Sequence, residues 1–112
     1  MKAETAVPII FRQGDVLFKR VAALPEGNRN RRSNGWILEG ESTGHVHRVA
    51  EADLDVAQVL EYGEGQLYLS VSAEGGISIV HDEHLPIVLP IGDYEVVRQR
   101  EYSPEAIRNV AD

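Results

Sequence analysis

All four histidines of the chain fall in two short segments, His45-Val46-His47 and His81-Asp82-Glu83-His84. Imidazole changes charge near neutral pH and is the commonest metal ligand, so two such groups beside two carboxylates are the natural place to look for chemistry. In a strand, side chains at i and i+2 share a face, so His45 and His47 project together and Val49 continues their row. In the second segment Ile77 and Ile79 share a parity with His81 and Glu83, which carries these two toward the apolar side. Asp82 and His84 take the opposite parity unless the strand ends first, and Pro86 favours an early end. The spacing therefore predicts a pocket where three imidazoles and a carboxylate converge.

Three functions suit such a pocket. In the first, His45, His47 and His81, completed by Glu83 or His84, bind a divalent transition metal. Zinc, iron, nickel, copper or manganese all accept neutral nitrogens with an oxygen, and an open coordination position would make the protein a metal-dependent hydrolase. In the second, two histidines act without metal as general acid and base, oriented by Glu83 or Asp82, in a phosphoesterase or ribonuclease-like enzyme. Arg48, Arg98 or Arg100 would then stabilise developing negative charge. In the third, the protein is a non-catalytic binding module and its histidines are structural. The first two readings draw their catalytic residues and metal ligands from the same five positions: His45, His47, His81, Glu83 and His84. Their partner is a small molecule or a phosphate-bearing ligand.

The elements that must position these residues read as short strands. Valine and isoleucine far outnumber leucine, and glycine and proline punctuate the chain, which favours strands joined by turns over a helical bundle. Candidate strands run over Val7–Phe11, Asp15–Ala22, Trp36–Glu39, His45–Val49, Val56–Tyr62, Gln66–Val71, Ile77–His81, Ile87–Leu89 and Tyr94–Arg100. Turn signals such as Gln13-Gly14-Asp15, Asn34-Gly35 and Gly63-Glu64-Gly65 separate them. The expected fold is mainly β, a small barrel or sandwich. Ser103-Pro104-Glu105 supplies a cap, a first-turn proline and a first-turn acid for a short terminal helix over 104–110. The stretch Pro25–Gly35, with Arg29, Arg31 and Arg32, reads as a long loop, either a phosphate-contacting arm or a solvated surface. Trp36 reads as core or pocket wall. Tyr94 and Tyr102 share a strand parity with Arg98 and Arg100, which makes either a ligand-stacking face or, the reading preferred, alternating charge on a solvated strand.

The 112 residues make one domain, 1–112, with 11 basic and 18 acidic side chains. The formal net charge of -7 argues against nucleic acid or an anionic membrane as the main partner, since both need a positive field. With no cysteine there is no disulfide, zinc finger or thiolate nucleophile, so any metal must be held by nitrogen and oxygen. No run approaches the roughly 20 apolar residues of a membrane span, and Val7-Pro8-Ile9-Ile10-Phe11 is too short for a secretory signal. The expected address is the cytoplasm. A homo-oligomer is compatible with these features.

The string Gly40-Glu41-Ser42-Thr43-Gly44-His45-Val46-His47-Arg48-Val49, followed by His81-Asp82-Glu83-His84-Leu85-Pro86 and the run Ile87 to Tyr102, resembles a family of small uncharacterised bacterial and phage-associated proteins. The likeness starts at Gln13-Gly14-Asp15-Val16-Leu17 and brings no activity with it. A second, partial likeness is to cupins, small β-barrels with an H-x-H and a glutamate four residues on, then P-x-G before another histidine. His45, His47 and Glu51 match the first spacing and Pro90-Ile91-Gly92 matches the turn of the second, where Glu95 stands in place of the histidine. The cupin resemblance implies a metal held by His45, His47 and Glu51.

Overall fold

A computed structural model describes residues 9–39 and 45–99. Ten strands make up most of it: β1 (Ile10–Gln13), β2 (Val16–Val21), β3 (Arg29–Arg32), β4 (Trp36–Glu39), β5 (Val46–Val49), β6 (Ala57–Tyr62), β7 (Leu67–Val71), β8 (Ile77–Val80), β9 (Ile87–Leu89) and β10 (Gly92–Arg98). A short 3-10 segment, Glu51–Val56, links β5 to β6. The expected helix over 104–110, the segment 40–44 and position 100 lie outside the described residues.

The strands form two antiparallel sheets. Six of them run in the order β1-β2-β10-β7-β6-β3, and four in the order β4-β5-β8-β9. The mainly β expectation holds, and of its two forms the barrel is corrected, because the sheets do not close on each other. Period-2 alternation explains the core. Val16 and Phe18 of β2, Val59 of β6, Leu67 and Leu69 of β7, and Tyr94 and Val96 of β10 turn one face inward. They share a single apolar cluster with Ile37, Val49, Ile77, Ile79 and Leu89 from the other sheet.

Two sequence expectations change here. Tyr94 is fully buried rather than solvated, and its hydroxyl donates to Pro90 O at 2.7 Å while accepting from Arg20 Nη1 at 3.3 Å. The row Tyr94, Val96, Arg98 is thus the inner face of β10, and satisfying the hydroxyl locally is what permits a tyrosine there. The arginine-rich stretch is the second change, because its Arg29–Arg32 part is the edge strand β3, paired antiparallel with β6. Arg29 donates to Tyr62 Oη at 2.9 Å, and Arg32 donates to Ile37 O at 2.9 Å and Trp36 O at 3.1 Å. Edge strands tolerate such charge because one flank faces water. Trp36 is 43% exposed and lines an open groove of about 740 Å³ with Arg32 and Arg98, which makes it pocket wall and not core.

The hairpin between β1 and β2 is the tightest in the chain. Gln13 pairs with Val16, leaving Gly14 and Asp15 as a two-residue turn with Gly14 at φ 60°. Glycine at the first central position meets the positive φ that such hairpins require.

The shared core sets the stability of both sheets. Phe18→Ala should lower the unfolding free energy by about 3–5 kcal/mol, whereas Val88→Ala, on the exposed side of β9, should change it by less than about 0.5 kcal/mol. Urea denaturation followed by tyrosine and tryptophan fluorescence would measure both.

Candidate functional site

Among the described residues, Gln13 and His47 are the only buried polar side chains, 3% and 1% exposed, and they bond to each other. Gln13 ends β1 and His47 lies in β5, so the contact bridges the two sheets. Gln13 Nε2 donates to Ile79 O and to Leu85 O, both at 2.9 Å, which uses both amide protons. Its Oε1, 2.9 Å from His47 Nδ1, must therefore accept. His47 is left as the Nδ1–H tautomer, with the lone pair of Nε2 directed at Asp15 Oδ1, 3.4 Å away.

Burial is the main cause that pushes the His47 imidazole down to about 4 from 6.5, with the neighbouring His81 acting in the same direction and Asp15 pulling back upward. His47 is thus neutral at physiological pH. Asp15 is held on its other side by Arg98, whose Nε lies 3.4 Å from Oδ2. Arg98 also donates to Glu39 O.

The remaining histidines gather on the same side. His81 is central: its ring centroid is 4.2 Å from that of His47, 4.6 Å from His84 and 5.7 Å from His45. The His84 ring lies almost parallel to His47, at 13° and 5.9 Å. It is seated on Gly14, where a Cβ would come within 2.5 Å of His84 Nε2. The glycine that shapes the hairpin turn thereby also makes room for an imidazole. His81 Nδ1 accepts the Glu83 backbone N–H at 3.0 Å, so a neutral His81 carries its proton on Nε2 and presents a donor there. Burial, then His84 and His45, lower the His81 pKa. His45 sits between Glu83, 3.4 Å from Nδ1, and Asp82, 3.9 Å from Nε2, and Asp82 in turn lies 3.7 Å from Arg48.

The four predicted histidines therefore do meet, and Glu83 joins them through His45. Parity misplaced Glu83: β8 ends at Val80, alternation stops, and the Glu83 side chain is 60% exposed on the rim instead of inside. The early end also frees His84 to fold back over Gly14. No three His, Asp or Glu side chains among the described residues converge closely enough to hold a metal ion as they stand. That applies to the predicted set and to the set implied by the cupin likeness, in which Glu51 opens the 3-10 segment beyond β5 and is exposed. Sequence reasoning missed Gln13 and Asp15, which lie in a stretch that read only as a turn, and it named Arg98 for the stabilisation of developing negative charge and not as the partner of Asp15.

The stretch from Arg12 to Gln99 closes on itself: Arg12 Nη2 donates to Gln99 Oε1, and the Gln99 backbone N–H donates to Asp15 O at 2.8 Å. A family model matches that same stretch, residues 12–99, and is described as Domain of unknown function (DUF8820). The chain belongs to this family. The DUF8820 match contains every residue of the histidine cluster together with Gln13, Asp15 and Arg98. No curated protein and no solved structure matches the chain. No helix among the described residues is long and apolar enough to cross a membrane.

The depressed His47 pKa couples folding of the DUF8820 domain to pH. The folded imidazole titrates near 4 and the unfolded one near 6.5, so the contribution is complete above pH 6.5, falls as pH drops toward 4, and then levels off. The full difference is worth about 3 kcal/mol. Denaturant midpoints measured between pH 7 and pH 4 should fall for the wild type, and His47→Gln should flatten that dependence.

Proposed function

We propose that this DUF8820 domain binds a divalent first-row transition metal ion, such as zinc, iron, nickel or manganese, at the histidine cluster. The observation that carries the reading is the gathering of three imidazoles around His81, whose ring centroid lies 4.2 Å from that of His47, 4.6 Å from His84 and 5.7 Å from His45. Imidazoles that share one zinc have centroids about 4.5–5.2 Å apart, given zinc–nitrogen distances of roughly 2.0–2.1 Å, so the His81–His84 pair already stands at that spacing and the other rings must shift to reach it. His47 supplies a fixed anchor, since Gln13 holds its ring and leaves Nε2 as a lone pair. His45, His81 and His84 lie at a strand end and in the segment after β8, outside regular pairing, where rings turn at low cost. Their neutral forms are the ones an ion needs.

A bound ion would act as a Lewis acid and lower the pKa of a coordinated water, which is the chemistry of a hydrolase. The chain's own residues would orient and neutralise. Arg98 and Arg48 hold the rim carboxylates Asp15 and Asp82, so the cluster is ringed by paired charge.

The metal-free acid/base alternative is less well supported. Its arginine arm is strand β3, at the opposite edge of the six-stranded sheet from the β1–β2 turn, and its side chains are already engaged.

Elemental analysis of protein purified without an affinity tag, followed by zinc and nickel titration calorimetry, tests the proposal. The expected result is saturable binding that the His45→Ala/His47→Ala double variant loses. If wild type and double variant take up metal equally weakly, and single changes at His45 and His81 only lower the melting temperature, the histidines are structural.

A further inference from the structure

Arg32 and the exposed Trp36 take no part in the histidine cluster, yet the fold brings them together at the edge of β4. We propose that the open groove of about 740 Å³ there is a small-molecule site for a planar aromatic anion, with the ring on Trp36 and the carboxylate or phosphate on Arg32. This site is independent of metal binding.

Trp36 is the chain's single tryptophan and is 43% exposed. An indole offers a large rigid face for stacking at little entropic cost, and left in water it forgoes the gain of burial. Its main chain is held on both sides. The N–H donates to Asn34 Oδ1 at 3.0 Å, and the carbonyl accepts from Arg32 Nη1 at 3.1 Å. Ile37, Leu38 and Val46 supply the apolar part of the lining.

Arg32 supplies the contact to negative charge. Nη1 spends its two protons on Trp36 O and Ile37 O, and Nε faces Glu61 Oε1 at 3.4 Å. A guanidinium is planar and rigid, so holding Nε and Nη1 fixes Nη2 as well. Among the described residues Nη2 has no acceptor, and the side chain is 32% exposed. The donor edge is therefore oriented before a ligand arrives, which removes part of the ordering cost of binding.

Charge and size agree with this. Arg98 of β10 lines the same groove, so its lining carries two guanidiniums and one carboxylate, Glu39, in a chain of net charge -7. The carboxylates paired with these arginines, Glu61 and Asp15, lie outside the lining. Such a local reversal of sign concentrates anions. The walls come from both sheets, β3 and β10 of one and β4 and β5 of the other, and the volume falls within the roughly 300–1,000 Å³ of small-molecule sites.

Calorimetric titration of the full chain in EDTA, with the NMR signal of the Trp36 indole N–H as a second readout, tests this. The probes are adenosine monophosphate and naphthoate, which join a ring to an anion, and adenosine and inorganic phosphate, which carry one half each. At least one aromatic anion should bind saturably and shift the indole signal, and each half-probe should bind roughly tenfold or more weakly. Binding of the monophosphate alone assigns the anion as phosphate, and of naphthoate alone as carboxylate; either supports the site. Trp36→Leu should weaken binding by about 5- to 150-fold and Arg32→Gln by about tenfold or more, while Arg31→Gln, outside the lining, stays within about twofold. Should Arg32→Gln unfold, Trp36→Leu decides, since that side chain is exposed. The proposal is overturned if neither aromatic anion saturates, if Trp36→Leu binds like the wild type, or if adenosine or phosphate binds as tightly as the monophosphate. With metal chelated throughout, each of these outcomes leaves the reading of the histidine cluster untouched.

Discussion

Burying an imidazole is costly unless its N–H finds a partner, and at His47 that partner is Gln13. The same glutamine reaches Ile79 O and Leu85 O, so one side chain at the end of β1 ties β5, β8 and the segment before β9 together. The seam between the two sheets at this end is therefore polar but fully hydrogen-bonded. Removing the amide would strand a buried ring nitrogen and two carbonyls at once. Such a network rigidifies only when every member is satisfied, and here the geometry satisfies each of Gln13's three polar contacts.

Around this anchor the cluster is layered by charge. Neutral or readily neutralised imidazoles occupy the centre, where burial and mutual repulsion discourage protonation of His47 and His81. Carboxylates of Asp15, Asp82 and Glu83 lie at the next distance out, and Arg98 and Arg48 lie beyond two of them. The outer arginines offset the charge of Asp15 and Asp82. The hairpin turn makes this arrangement compact, because Gly14 has no side chain to hold His84 away.

Much of the fold was legible in the residues. Alternation in Val16 to Phe18, Leu67 to Val71 and Ile77 to Ile79 marks strands with one buried face, and the structure bears this out. Arg29–Arg32 was not legible as a strand, since an edge strand held by Tyr62 and by carbonyls of β4 carries no apolar pattern. Tyr94 was misread because parity gives two faces without saying which is inside. Only the packing of β10 between β2 and β7 settles that choice.

For the site, local spacing brought out His45, His47, His81 and His84, because histidines two and three residues apart stay close however the chain folds. Composition limits what the cluster can offer, since a chain without cysteine has no thiolate. The tertiary structure alone decided that Gln13 fixes the His47 tautomer, that Asp15 and not Glu83 faces its lone pair, and that Arg98 stands behind Asp15. These contacts join residues 32 to 83 positions apart, across a hairpin and between two sheets. Nothing in a linear pattern encodes such distances, because they arise only once the shared apolar core has set the sheets against each other.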